Sequence, residues 1–116
     1  FLKRLGNNTI ILWGAGIRGR QCAGWFHKMG VKVSAIVDSS QELWGKTVEM
    51  IKIESPGILK NMPLNLIITP DKYVEDIKET VRNMGNEMIH IYELRLLCRE
   101  IADNLKAEIE ERGNAS

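Results

Sequence analysis

TIILWGAGIRGRQCAGWFHKMGVKVSAIVD, residues 9–38, reads as a strand, a glycine turn, a helix and a second strand that ends in an acid. Thr9 to Trp13 is an apolar run of strand length, and Gly14 to Gly19 has the spacing G-x-G-x-x-G. A helix runs on to about Met29, and Val31 to Val37 is the next strand. In this context the glycines have separable tasks. Gly14 turns the chain off the strand, Gly16 leaves room for a pyrophosphate against the backbone, and Gly19 lets the helix lie close to the sheet. Gly19, Cys22, Ala23 and Phe26 share one helical stripe, which puts Gly19 on the packed face. The first helical turn offers N–H groups and the positive end of the helix dipole to an anion. Asp38 follows Gly19 by 19 residues, where a β-α-β nucleotide unit places the carboxylate that holds ribose hydroxyls.

Other readings stand beside these. Asp38 with Ser39 and Ser40 also spells a solvated turn, and the glycines also suit a fold that has lost its ligand. Arg18 and Arg20 sit where the dipole disfavours cations unless an anion is near, which points to phosphate; solvated arginines are the alternative. Asp38 would repel a 2′-phosphate, so NAD is expected over NADP.

Along the rest of the chain, 39–46 is a loop, and Met50 to Ile53 is strand-like. Ser55-Pro56 caps a short helix that ends near Asn61. Leu64 to Thr69 reads as a buried parallel strand. Thr69-Pro70-Asp71 then restarts a helix by the same capping logic, with Val74, Ile77, Val81 and Met84 on its stripe and Gly85 as its stop. Met88 to Ile91 is one more strand. A final helix from about Glu93 to Glu111 carries Leu94, Leu97, Cys98, Ile101, Leu105 and Ile109 on one face. Alternating strands and helices imply an α/β, Rossmann-like, three-layer α/β/α fold with a mainly parallel sheet in strand order 3-2-1-4-5. Residues 1–92 are expected to form the nucleotide-binding domain. Residues 93–116 are expected to add a helix packed on that domain, on another domain of the same protein or on a second copy as a homodimer.

The chain has 116 residues, 16 basic and 15 acidic, for a net charge of +1 with no block of like charge. On that balance no nucleic acid partner is expected. No apolar run reaches the length of a membrane span, and Cys22 and Cys98 on apolar stripes suit buried free thiols of a reducing cytoplasm. The start at Phe1 suggests an excerpt from a longer protein. No metal set has the required ligand spacing, and His27 and His90 lack partners at a catalytic spacing, so no catalytic residue is expected within the chain.

The succession ILWGAGIRGR, AIVDSS, WGKTVEMIKIESPGIL and LIITP resembles nucleotide-binding domains of bacterial surface-polysaccharide biosynthesis proteins. These include sugar acetyltransferase N-terminal domains and the NAD-binding regions of nucleotide-sugar dehydratases and epimerases. The resemblance spans residues 9–91 and includes the Trp44-Gly45-Lys46 turn. It implies NAD or a nucleotide-sugar as ligand and a carbohydrate-modifying parent protein. It does not carry the acetyltransferase histidine, because Ile17 and Arg18 stand in the glycine turn. The expected ligand contacts are Gly14, Ala15, Gly16, Ile17, Arg18 and Gly19 for phosphates, Asp38 and Ser39 for a ribose, and Thr69 with Pro70 as the opposite wall. Two rivals remain: an enzyme whose catalytic half lies outside the chain, and an interaction module without a ligand.

Overall fold

A computed structural model describes residues 8–100 and residue 110. The strands are β1 (Thr9–Trp13), β2 (Ala35–Val37), β3 (Thr47–Val48), β4 (Ile51–Glu54), β5 (Leu64–Ile68) and β6 (Ile89–Glu93). The α-helices between them are α1 (Ile17–Lys28) and α2 (Val74–Asn83), and residues 94–100 begin a further helix. The six strands lie in the order β3-β4-β2-β1-β5-β6. Every pairing except β3 with β4 is parallel. Without β3 this is the expected 3-2-1-4-5 order.

The two faces of the sheet have separate cores, as a doubly covered sheet requires. Alternation along β1 sends Ile10 and Leu12 to one face, where Cys22, Ala23 and Phe26 of α1 meet Leu94 and Leu97. It sends Ile11 and Trp13 to the other, against Leu66, Ile68, Val74 and Val81. β5 is buried throughout, including Asn65.

Several boundaries differ from the sequence reading. The second strand begins at Ala35 rather than Val31: Ala35 pairs with Ile11, Val33 would already face Thr9 at the start of β1, and positions 31 and 32 run past that start. β3 is an addition. It makes a hairpin with β4 through Glu49 and Met50, both at positive φ (50° and 64°), the twist that two-residue hairpins need. The Ser55-Pro56 cap forms, with Ser55 Oγ accepting from Gly57 N, but opens only a 3₁₀ helix to Leu59.

α2 starts at Val74, not at Asp71. Tyr73, in the left-handed region, holds the cap position, while the Thr69 hydroxyl donates to the Trp13 carbonyl at 2.8 Å. Cys98 is exposed, contrary to expectation, because Leu94 and Leu97 define the buried side of the last helix. Ile101, Leu105 and Ile109, on which the docking or dimer expectation rests, lie outside the described residues.

Candidate functional site

β1 and β5 are neighbours whose connections leave in opposite directions along the sheet, one to β2 and the other to β6. Diverging loops at such a reversal open a crevice beyond the strand ends. A cavity of about 720 Å³ occupies that place. Gly14, Gly16, Ile17, Arg18 and Gly19 line it, together with Asp38, Ser39, Thr69 and Pro70. Ala15 is the expected contact that does not line it: its side chain is buried in the core and its N–H donates to Asp38 Oδ2 at 2.9 Å.

The glycines differ in what a side chain would meet. Gly14 has φ +113°, and a Cβ there would stand 2.7 Å from Thr69 Oγ1. A Cβ on Gly19 would overlap the carbonyl oxygen of Gly14. The close approach that Gly19 permits is therefore between α1 and the glycine turn itself, one layer nearer the site than the sheet. Gly16 is the opposite case. Its φ of −79° suits any residue, and nothing lies within 4 Å of where its Cβ would be. The absent side chain leaves open space on the cavity wall, which fits a diphosphate lying against the backbone. Gly16 caps α1 without a side-chain hydrogen bond, and the first turn contains no acidic residue.

Asp38 is held at both oxygens. Besides Ala15 N on Oδ2, Ser40 N donates to Oδ1 at 2.8 Å, so the turn reading of Asp38 is part of its geometry. The Trp44 indole N–H donates to the Asp38 carbonyl at 2.7 Å and straps the following loop over it. The Trp44-Gly45-Lys46 turn thereby connects physically to the acid. Thr69 contributes backbone and methyl surface to its wall, since its hydroxyl and its N–H both donate to Trp13 O.

Arg18 reaches Asp71 across the cavity, Nη1 to Oδ2 at 3.1 Å, so the anion that its position demands is a protein carboxylate in this structure. Arg20 turns back, its Nε donating to Ala15 O at 3.3 Å. Trp13, Asp71, Lys72, Tyr73, Asp76, Ile77 and Thr80 complete the lining. Residues 71–73 are absent from the expected contacts because the capping logic puts them inside a helix; Pro70 followed by polar residues is the signal for a loop there. Among the described residues no group of acids, histidines and cysteines could hold a metal ion, and no helix is long and apolar enough to cross a membrane.

Three solved structures share the fold. The crystal structure of RSP, a Rex-family repressor, superposes with a TM-score of 0.54 at 16% identity, over 94% of this chain and 64% of that one. RSP in complex with beta-NADH gives 0.56 at 16%, over 95% and 65%. RSP in complex with beta-NAD+ and operator DNA gives 0.56 at 18%, over 94% and 62%. The chain thus spans less than two thirds of the repressor's length. The exclusion of nucleic acid does not survive this comparison, because a protein of the same fold is bound to operator DNA. A balanced charge over one stretch leaves open where a whole protein carries its basic surface. No curated protein matches the sequence. Residues 6–92 match the model of the C2185-like, N-terminal family, and the chain belongs to that family.

Proposed function

We propose that the domain binds a nucleotide diphosphate in the cavity beside Gly16, with NAD as the ligand. The observation that carries this reading is the open face of Gly16 at the start of a helix whose first turn carries no acid, in a cavity that Thr69 and Pro70 also line. In the repressor that shares the fold, beta-NADH and beta-NAD+ are bound, which supports a dinucleotide. The diphosphate would lie along Gly14, Gly16, Ile17 and Gly19, with Arg18 neutralising it and Ala15 acting through its hold on Asp38. One face of a ribose would meet Asp38 and Ser39. These residues bind and orient; the chemistry of a bound NAD is hydride exchange, and its substrate would come from outside this chain.

A second reading is favoured by the Trp44 strap, whose sequence resembles that of polysaccharide-biosynthesis domains: the ligand would be a nucleotide-sugar and the parent protein a carbohydrate-modifying one. On either reading the helix that starts at residue 94 docks the domain to a neighbouring domain or to a second copy. Calorimetric titration with NAD, NADP and a UDP-sugar tests the proposal. Binding of NAD that is lost in a folded Gly16→Val variant supports it, binding of the UDP-sugar alone selects the second reading, and no heat or thermal stabilisation from any of the three refutes both.

A further inference from the structure

Arg18 stands in the first turn of α1, where the helix dipole repels its charge. Its guanidinium is nevertheless drawn over the cavity to Asp71, both side chains being about half exposed (41% and 51%). The pairing is incomplete. Arg18 Nε is buried without a hydrogen-bond partner, so the five-donor fork leaves an N–H unspent while one Nη holds the carboxylate. Asp71 belongs to the segment between Pro70 and Val74, which is neither strand nor helix, so it can swing away without breaking an element. Its carboxylate lies where an incoming diphosphate would meet Arg18 on the cavity wall.

We propose that Asp71 is a built-in competitor for the ligand's phosphate, holding Arg18 until a diphosphate displaces it. The inference rests on the nucleotide reading above. A carboxylate satisfies one donor and leaves Nε unpaired, whereas a diphosphate presents several oxygens and more charge. Exchange therefore favours a diphosphate, while a nucleoside, with no phosphate, leaves the Arg18–Asp71 pair closed. Asp71 sets a threshold that selects ligands by phosphate charge and lowers affinity for those that cross it.

Glu79 provides the control, since it is an exposed acid of α2 outside the cavity lining. Calorimetric titration of wild type, Asp71→Asn and Glu79→Gln with NAD should show Asp71→Asn binding about two- to fivefold tighter, the range expected for releasing a solvent-exposed ion pair. Glu79→Gln should bind like wild type. Binding by Asp71→Asn where wild type shows none also supports the competitor. Equal or weaker binding by Asp71→Asn, or an equal gain from Glu79→Gln, overturns it and leaves the nucleotide reading standing. No binding of NAD by either wild type or Asp71→Asn overturns both.

Discussion

The carboxylate of Asp38 accepts the N–H of Ala15 at 2.9 Å, tying the tip of β2 to the glycine turn after β1. The other oxygen takes Ser40 N at 2.8 Å. The turn and ribose readings of Asp38 are therefore compatible, since a carboxylate has about four lone-pair sites and two are spent on the backbone. Removing the carboxylate should consequently disturb the shape of the anion site as well as the ribose contact.

Asp38→Ala should lose about 1.5–3 kcal/mol of stability for each unsatisfied bond to a charged acceptor, tempered where water reaches the freed N–H. It should also bind NAD about ten- to a hundredfold more weakly, with less discrimination against NADP. Asp38→Asn, which keeps one acceptor oxygen, should fall between. Thermal melts and calorimetry read both effects; an Asp38→Ala protein with wild-type melting temperature would show that the tie to Ala15 contributes nothing.

Gly19 and Gly16 should separate stability from binding. Gly19→Ala forces a methyl onto the Gly14 carbonyl and should cost about 1–3 kcal/mol or more as α1 is pushed off the turn. Gly16→Val meets open space at an ordinary φ, so its stability should fall by about 1 kcal/mol or less, the cost of a poorer residue at the helix cap. Urea melts of the two variants rank them; a Gly16→Val protein as unstable as Gly19→Ala would contradict the geometry.

At the end of β6, Glu93 accepts from Lys78 Nζ at 2.7 Å and from Arg95 Nε at 2.9 Å. The Lys78 hydrogen bond, helped by Arg95 and opposed by partial burial, holds the Glu93 carboxyl below the usual 4.5. A carboxyl lowered by folding stabilises the protein above its unfolded value, and that stabilisation is lost as pH falls through the lower folded value. Glu93→Gln should therefore lower the melting temperature at pH 7 and flatten its decline below about pH 4.5. Parallel curves for wild type and variant across that range would remove Glu93 from the account.

The two cysteines should react differently with a thiol reagent. Burial pushes the Cys22 thiol up to about 12, with the nearby Cys98 adding to the rise, and Cys22 is 3% exposed; Cys98 is exposed. Since the thiolate is the reactive form, native protein at pH 8 should take one alkyl group, at Cys98, and a second only in denaturant. Peptide mapping after brief iodoacetamide treatment checks this, and prompt labelling of Cys22 would be incompatible with the packing of α1 on the sheet.

Much of the architecture is local and so was legible in the chain. The apolar runs at 9–13 and 64–68, the G-x-G-x-x-G turn between a strand and a helix, and the Ser55 cap each depend on neighbours within a few residues. Strand order followed because right-handed crossovers restrict how such units assemble. The hairpin through Glu49 and Met50 was not legible, because neither residue type favours positive φ and the edge pairing imposes it.

The sequence by itself determined the β-α-β unit, the position of Asp38 at the tip of β2 and the spacing of the glycines, because hydrogen-bonding period and backbone freedom are properties of consecutive residues. Tertiary structure alone decided what those residues touch. Thr69 gives its hydroxyl to Trp13, 56 residues away, and Arg18 finds Asp71 on a distant segment of the chain. Each of these is a contact between segments that only the assembled sheet brings together. The energy of such a contact depends on distance through space, which no spacing along the chain records.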